Sequence, residues 1–305
     1  MFDAAAVAKA LPMDALVKTL KQAFIDDIKV PLRHSHSMGD CSTLLMPAWD
    51  SAYYGLKVVN IAPKNGERGL PGLHSTFQLF DSQTGKPLAI LEGNTITSRR
   101  TAAAAALAAS FLARKDSSVL LVVGAGRVAS LVPEAMKAVL PIKKVIVWNY
   151  VPEQATEMAK NLRDQGFDAV ATEDLESAVR SADVVSCATL SQKPMIKAEW
   201  LKPNGHLDLI GSFTPVMKET YPECFANATV FVDTEEAPTK SGDLLEAFKA
   251  GTLRKEDISA TLQQLCRGEK PGRQSNDGRT VYKAVGTALE DLAAAVLVYK
   301  SNSKI

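Results

Sequence analysis

The 305-residue sequence has little of what marks several protein classes. Its four cysteines, at positions 41, 187, 224 and 266, form no CxxC pair, which argues against a disulfide framework and against structural zinc. No apolar run approaches the roughly 20 residues that cross a bilayer, and the first residues lack the basic stretch of a signal peptide. The net charge is only +1 at pH 7, so nothing attracts nucleic acid or an anionic membrane.

Histidine is also scarce, with four residues in all. His34 and His36 would share one face of a strand, but no third ligand is evident nearby, so we predict surface or pocket histidines and no metal site. Unpaired thiols fit a reducing compartment. Together these absences predict a cytoplasmic protein without a membrane or nucleic-acid partner.

Hydrophobic residues, in contrast, make up 46% of the chain, and its length suggests two domains with sizeable cores. Apolar residues at i, i+4 spacing predict an amphipathic helix over 13–28. An exposed loop is predicted over 63–72, and an alanine-rich helix over 101–112. Short strand-like segments separated by turn residues are predicted at 41–48, 52–62, 73–81 and 86–92.

From Ser117 onward, strands and helices alternate. The predicted strands are mostly continuous apolar runs, as in a parallel sheet buried on both faces: 119–123, 145–148, 169–171, 184–188, 206–210 and 230–233. The predicted helices between them cover 127–139, 152–164 and 173–181. This alternation indicates an α/β, doubly wound Rossmann domain. A loop is predicted over 268–279, followed by a last helix over roughly 281–299 that returns to the N-terminal domain.

A glycine-rich turn follows the first strand of this alternating part. A strand, the turn and then a helix form the context in which a GxGxx(G/A) pattern indicates a dinucleotide site. The first glycine permits a tight turn, the second lets the backbone approach a pyrophosphate, and Ala129 is small enough for helix–strand packing. The helix N-terminus would face the phosphates. The alternative is a glycine turn in an unrelated α/β protein. The candidate cofactor residues are Gly124, Ala125, Gly126, Arg127 and Val128.

The residue at the end of the second strand bears on the choice of cofactor. A carboxylate there would bind the ribose 2′-OH of NAD, whereas this sequence has Asn149, 25 residues after Gly124. An amide does not repel a 2′-phosphate, and Arg127 could pair with one. The pattern therefore favours NADPH over NADH, with dual use open, unless Asn149 is only a turn residue.

These stretches and several others resemble the ornithine cyclodeaminase/μ-crystallin family over nearly the whole chain. The resemblance implies a homodimer with an α+β substrate-binding and dimerisation domain, here residues 1–114 with 280–305, and a Rossmann dinucleotide-binding domain, here residues 115–279. The stretches that carry it are Gly55-Leu-Lys57-Val-Val-Asn60, Arg100-Thr-Ala-Ala103, Gly124-Ala-Gly126, Gly272-Arg-Gln-Ser275 and Thr280-Val-Tyr-Lys-Ala-Val-Gly286…Leu289-Glu-Asp291.

The resemblance also implies that Arg33, Lys57 and Arg100 bind the substrate carboxylate, and we expect Arg100 to contact the cofactor as well. A guanidinium fork supported by an ammonium suits a carboxylate. Lys57 interrupts an apolar strand, where an unpaired charge is costly. Arg33 could instead lie at the surface and Arg100 could merely begin a helix. Arg99 is the neighbouring alternative, but the register with Thr101 favours Arg100.

Two positions depart from the cyclodeaminase pattern of the family. Phe213 stands where cyclodeaminases carry an aspartate that acts on the substrate amine, and Leu44 stands where they carry a glutamate before the Leu-Met-Pro turn. A phenylalanine cannot take a proton, whereas it can line a pocket for the methylenes of a cyclic imine. The pattern around Gly211 and Met217 resembles reductases of Δ1-pyrroline-2-carboxylate and Δ1-piperideine-2-carboxylate.

The sequence therefore predicts a ketimine reductase that binds a small cyclic imino acid between its domains. The nicotinamide is expected near Thr189 and Phe213, and Lys57 or a water would donate the proton. The product would be L-proline or L-pipecolate. The alternatives are a cyclodeaminase-type lyase with bound NAD, a non-catalytic NADPH-dependent binder of the μ-crystallin type, and an alanine dehydrogenase.

Overall fold

The computed structural model describes residues 1–302. Contacts within the chain divide it into two compact units. The first comprises Met1–Thr101 and the chain from Thr287 onward, and the second comprises Ala102–Gly286. The predicted domains are also built so that the first contains both ends of the chain, but their bounds lie at residues 114 and 280. Those bounds remain a prediction.

The first unit contains a five-stranded antiparallel sheet in which each strand pairs with its sequence neighbours. More and less buried side chains alternate along its central strands, because successive side chains point to opposite faces of a sheet. The four strand-like segments predicted from the sequence are confirmed, and one strand before them was missed. The strands are β1 (His34–Met38), β2 (Cys41–Trp49), β3 (Tyr53–Ile61), β4 (Leu73–Asp81) and β5 (Pro87–Glu92).

Two helices precede this sheet and a long one follows it: α1 (Ala4–Ala10), α2 (Met13–Ile25) and α3 (Gly93–Leu112). The predicted amphipathic helix is confirmed as α2, which buries one apolar face and ends three residues earlier than expected. The predicted loop over 63–72 contains the short 3-10 helix Pro63–Arg68.

Helix α3 begins eight residues before the alanine-rich stretch that predicted it. The carboxylate of Glu92 accepts hydrogen bonds from the backbone N–H groups of Asn94 and Thr95, at 2.9 and 2.7 Å. This capping satisfies donors of the first turn, so the helix extends through a polar stretch whose composition alone does not predict it.

The second unit contains an eight-stranded parallel sheet. Its strands are β6 (Val119–Val123), β7 (Lys144–Trp148), β8 (Asp168–Ala171), β9 (Val184–Cys187), β10 (His206–Leu209), β11 (Ala228–Val232), β12 (Ile258–Thr261) and β13 (Arg279–Lys283). Their order in the sheet is β12-β11-β13-β10-β9-β6-β7-β8. The run from β8 to β10 has the doubly wound order, in which the direction of winding reverses between β6 and β9. The predicted Rossmann fold is therefore confirmed.

The helices of this unit are α4 (Val132–Lys137), α5 (Pro152–Asp164), α6 (Leu175–Ser181), α7 (Ala237–Lys240), α8 (Gly242–Ala250) and α9 (Leu262–Cys266). The prediction over 152–164 matches α5 at both ends. The prediction over 127–139 was too long, because a 3-10 turn over Ala129–Leu131 precedes α4. The sequence interpretation missed α7, α8 and α9.

The prediction of one helix over 281–299 was wrong in its first part. Residues Arg279–Lys283 form β13, which lies between β10 and β11 in the parallel sheet. The chain then passes Gly286, at φ +79°, and α10 (Ala288–Asn302) begins. An apolar run of this length is compatible with a buried strand or a helix. Helix α10 packs against α2 and against β2, β3 and β4 of the first unit.

Within residues 1–302, no helix combines the length and the apolar character that crossing a lipid bilayer requires.

Candidate functional site

Lys57 lies in the middle of β3 with its side chain fully buried. Its Nζ is 2.5 Å from Oδ2 of Asp291 on α10 and 3.4 Å from the hydroxyl of Thr97 on α3. A buried ammonium is costly unless a carboxylate or other acceptors compensate it. The lysine that interrupts an apolar strand in the sequence is therefore stabilised by a counter-ion from the other end of the chain.

Arg100 joins the same group from α3. Its Nε is 2.9 Å from Oδ1 of Asp291, and its Nη1 is 2.5 Å from Oε2 of Glu290. Asp291 thus bridges both cations, one through each oxygen. We call Lys57, Arg100, Glu290 and Asp291 the ionic cluster of the first unit; its two cations and two carboxylates balance in formal charge.

Burial and neighbouring charges determine the protonation of this ionic cluster. Burial, opposed by the charge of Asp291 and aided by that of Arg100, lowers the pKa of Lys57 to about 8. Burial favours neutral Arg100, but Asp291 and Glu290 outweigh it and raise the pKa of the guanidinium. The pKa of Asp291 is lowered, because its two cations outweigh its own burial. Lys57 can therefore exchange a proton near neutral pH.

Glu290 and Asp291 were predicted only as part of a family pattern, without a role. A local signal was present, since two consecutive acids stand at the beginning of an otherwise apolar helix, and both are completely buried. Acidic residues are almost never fully buried unless they are paired.

The other predicted residues of the first unit lie on or beside its sheet. Arg33 is partly buried and immediately precedes β1, whereas His34 and His36 on β1 are exposed. No three His, Cys, Asp or Glu side chains converge as metal ligands anywhere in residues 1–302. Leu44 lies within β2.

Leu45, Met46 and Pro47 continue β2, in agreement with the strand predicted over 41–48, so the Leu-Met-Pro stretch after Leu44 is not a turn in this chain. Pro47 has no N–H to donate, and a proline is tolerated in a strand where the neighbouring strand does not need that donor. Here β1 pairs with β2 only as far as Leu45. Pro47 therefore lies beyond the paired part of that edge.

The glycine-rich turn lies directly after β6 in the second unit. Gly124 has φ +112°, and a Cβ on it would lie 2.9 Å from the carbonyl oxygen of Ala188. A Cβ on Gly126, in contrast, would meet nothing within 4 Å. The first glycine is therefore required by backbone geometry and by the neighbouring chain, while the second leaves an open cradle of backbone. Such a cradle fits a dinucleotide phosphate.

The position of this turn in the sheet supports the same interpretation. β6 and β9 are adjacent, and the chain winds in opposite directions from them. In doubly wound sheets, ligands bind beyond the carboxyl ends of the strands at this point. Gly124 follows β6, and Thr189 follows β9, with its Cγ2 only 3.2 Å from where a Gly124 Cβ would lie.

The residues expected to distinguish the cofactors lie beside the turn. Ala125 and Val128 are partly buried, and Arg127 is exposed. The side-chain amide of Asn149 donates to the carbonyl of Val151 at 3.1 Å and to the side chain of Gln154 at 2.9 Å. These two bonds hold the amide nitrogen against the beginning of α5, so Asn149 also has the turn role that was its alternative interpretation.

Beyond β10, the chain contains Gly211, Ser212 and Phe213. A Cβ on Gly211 would lie 2.1 Å from the carbonyl oxygen of Thr189, so the two loops are in backbone contact. Phe213 is partly buried and packs against the hydrophobic core of this unit.

A second group of buried charges lies behind these loops and was missed from the sequence. Glu219 accepts hydrogen bonds from Thr189, Gly211 and Ser212. Lys283 on β13 has its Nζ 3.2 Å from Asp243 and 3.9 Å from Glu219, and all three side chains are fully buried. The available signal was a lysine that interrupts an apolar run, here Val281 to Val285, the same pattern that identified Lys57.

Comparisons with known proteins agree with this geometry. A Delta(1)-pyrroline-2-carboxylate reductase from Paracoccus denitrificans is 39% identical over 81% of this chain and 79% of its own length. The structure of a Delta(1)-pyrroline-2-carboxylate reductase from Thermococcus litoralis, in complex with NADH and L-proline, has TM-score 0.94 at 30% identity, covering 99% of this chain and 97% of that one.

A dimeric archaeal alanine dehydrogenase with bound NAD has TM-score 0.92 at 32% identity, covering 98% of this chain and 94% of that one. The model of the ornithine cyclodeaminase/mu-crystallin family matches residues 1–304. The expected resemblance is confirmed over the whole chain, which belongs to the ornithine cyclodeaminase/mu-crystallin family.

Proposed function

We propose that this chain is an NAD(P)H-dependent oxidoreductase acting on C=N bonds, and that it reduces a cyclic ketimine carboxylate. The substrate would be Δ1-pyrroline-2-carboxylate, Δ1-piperideine-2-carboxylate or both, and the product L-proline or L-pipecolate. The reductases among its relatives and the bound NADH and L-proline in the similar structure support this proposal.

The observation that carries the proposal is the ionic cluster of the first unit. An anionic ligand needs cations that are already oriented and partly desolvated. Asp291 and Glu290 hold Arg100 rigid through two of its nitrogens, and Asp291 holds Lys57. We propose that Lys57 and Arg100 bind the substrate carboxylate from this preorganised state, with Arg33 contributing, and that Arg100 also contacts the cofactor.

Charge balance favours one form of the substrate. The ionic cluster is formally neutral, so a ligand with a carboxylate and a protonated imine adds no net charge to a buried group. A protonated imine is also the better electrophile. A bound nicotinamide supplies the hydride that reduces the imine carbon.

We propose that Lys57 supplies a proton to the imine nitrogen or keeps it protonated. With its pKa lowered by burial to about 8, the ammonium is still charged at neutral pH and gives up a proton more readily than an ordinary lysine. A general acid works best when its pKa lies near the working pH.

Two apolar residues separate this function from cyclodeamination. Phe213 and Leu44 stand where cyclodeaminases are expected to carry acids. Neither side chain can accept a proton from an amine, and Phe213 already packs on apolar neighbours. We therefore propose that Phe213 contributes an apolar surface for the ring of the substrate.

For the cofactor, we propose the residues after β6, β7 and β9, namely Gly124 to Val128, Asn149 and Thr189. NADPH is favoured, because Arg127 is exposed beside the phosphate loop and no carboxylate ends β7. The structures of relatives contain NADH or NAD, so NADH is kept as the second cofactor.

The test is a reduction assay followed by the loss of NAD(P)H absorbance, with both ring sizes and both cofactors. We expect turnover with at least one cyclic imine and a higher kcat/KM with NADPH. Release of ammonia and proline from ornithine would indicate a lyase instead. Turnover of pyruvate with ammonia would favour an alanine dehydrogenase, the activity named for one similar structure. Tight NADPH binding without any turnover would identify a binding protein.

A further inference from the structure

Glu219 is a fully buried carboxylate that accepts hydrogen bonds from two different loops. Its Oε1 accepts from the backbone N–H of Thr189 at 2.7 Å and from the hydroxyl of Thr189 at 2.8 Å. Its Oε2 accepts from the N–H groups of Gly211 and Ser212 at 3.1 and 3.2 Å. One side chain therefore connects the loop after β9 to the loop after β10.

The position of Glu219 is itself fixed by a second carboxylate. Oδ1 of Asp243, at the beginning of α8, accepts from the backbone N–H groups of Glu219 and Thr220 at 2.7 and 3.1 Å. Its Oδ2 is 3.2 Å from Nζ of Lys283 at the end of β13. The network thus extends over the carboxyl ends of three neighbouring strands, β9, β10 and β13.

Such a network is expensive to bury. A charge in an apolar core loses its hydration and is compensated only by close partners, whereas hydrophobic side chains would fill the same space without this cost. Gly211 adds a geometric constraint, because a Cβ there would lie within 2.4 Å of Glu219 and within 2.3 Å of the Thr189 backbone. The carboxylate of Glu219 therefore links the two loops, and the lack of a side chain on Gly211 lets them approach this closely.

We propose that Glu219 is a positioning residue for the nicotinamide half of the cofactor, which it serves by fixing the loops after β9 and β10. The proposal rests on the proposed function only in expecting the nicotinamide near Thr189. Glu219 is fully buried and acts through Thr189, Gly211 and Ser212. We expect binding of the adenosine half of the cofactor to depend instead on the proposed cofactor residues that follow β6 and β7.

The test compares two ligands in the full-length protein. NADH contains the nicotinamide, and ADP-ribose is the same ligand without it. Replacing Glu219→Gln keeps the size of the side chain but places an amide N–H₂ against N–H donors. We expect NADH affinity to fall about tenfold, the typical effect of losing hydrogen bonds to a charged group, and ADP-ribose affinity to change less than about twofold.

Asp183→Asn is the matched control. Asp183 is also a buried carboxylate that accepts from two backbone N–H groups, those of Ser118 and Val119, but it precedes β9 and lies at the opposite, amino edge of the sheet. We expect this variant to lower stability without changing the ratio of NADH to ADP-ribose affinity. Equal weakening of both ligands by Glu219→Gln would reduce Glu219 to a structural role and overturn the proposal.

A second variant covers the case in which Glu219→Gln does not fold. Thr189→Val removes one hydrogen bond to Glu219 and keeps the shape of the side chain, so we expect a smaller loss that is again selective for NADH. An unchanged ratio in this variant would contradict the proposal. Both measurements use binding without an imine, so a wild-type protein that binds NADH but reduces no imine would disprove the proposed function and leave this test valid.

Discussion

Lys57 is a charged residue at a position where the backbone pattern calls for an apolar one. Its ammonium is paired with Asp291 and surrounded by the core of the first unit. Replacing Lys57→Met preserves most of its length and apolar volume. We expect turnover to fall by at least about a hundredfold, the scale of losing a general acid and a carboxylate partner, while NADPH binding is retained.

Steady-state kinetics and a direct NADPH titration check this expectation. Lys29→Met is the control, because Lys29 forms an exposed ion pair with Asp27, which is worth little. Unchanged turnover in Lys57→Met would show that Lys57 takes no part in substrate binding or proton transfer.

The same residue predicts a pH dependence. With the pKa of Lys57 lowered to about 8, the charged form that binds the carboxylate and donates the proton disappears as pH rises. We therefore expect kcat/KM to fall as pH increases through about 8. The imine also titrates, so both ring sizes are compared. A decline caused by Lys57 occurs at the same pH for both substrates, and one that follows the imine contradicts the assignment.

The contribution of Lys57 to folding stability changes with pH in the direction opposite to its effect on activity. In the unfolded chain Lys57 has the ordinary lysine pKa of 10.5, whereas in the folded chain its pKa is about 8. Between these values the unfolded state binds more protons, so this group makes folding more favourable as pH rises.

At the scale of elements, two glycines in the loops after parallel strands differ in their role. We expect one to be needed for folding and the other for binding the cofactor. A Cβ on Gly211 would be 2.1 Å from Thr189, whereas a Cβ on Gly126 would meet nothing within 4 Å. We expect Gly211→Ala to destabilise the fold by about 1–3 kcal/mol through overpacking. Gly126→Ala should change stability by less than about 0.5 kcal/mol but weaken NADH binding, because its Cβ occupies the proposed phosphate cradle.

Denaturant unfolding and NADH titration of both variants test this pair. Wild-type affinity in Gly126→Ala would exclude a phosphate from that cradle. Loss of stability in Gly126→Ala, equal to that in Gly211→Ala, would show that the open space at position 126 is needed by the protein itself.

The elements also show what a sequence pattern can predict. The runs at 119–123 and 152–164 matched β6 and α5 at both ends, because Gly124 ends the short valine-rich run and the apolar positions of 152–164 have the helical period. β13 was predicted as helix, since an apolar run without alternation fits either structure. The beginning of α3 depends on a side-chain cap from Glu92, which the alanine-rich stretch does not reveal.

For the candidate site, the residue types in the sequence predicted the two cationic side chains but not the carboxylates that pair with them. Lys57 and Arg100 were identified because a charge in an apolar strand and a family pattern indicate function. The hydrogen bond from Arg100 to Asp291 joins residues 191 positions apart, and no local pattern reports such a contact. Glu219 and Asp243 lie in irregular or short segments and were missed for the same reason.

At the scale of the whole molecule, we propose a homodimer. The archaeal alanine dehydrogenase that this chain resembles is a dimer. Light scattering on the purified protein is expected to give twice the 32.7 kDa mass of one chain, independent of NADPH. A species of single-chain mass at micromolar concentration would contradict this proposal.

The place of β13 in the parallel sheet has a consequence for synthesis on the ribosome. β13 lies between β10 and β11, so the earlier strands remain in two separate pieces until residue 283 has been translated and released from the exit tunnel. The ionic cluster of the first unit forms even later, because Lys57 and Arg100 are synthesised long before Asp291. During that interval both cations lack their buried counter-ion. Native assembly of both units is therefore a late event in the synthesis of this chain, since contacts so distant in sequence form slowly.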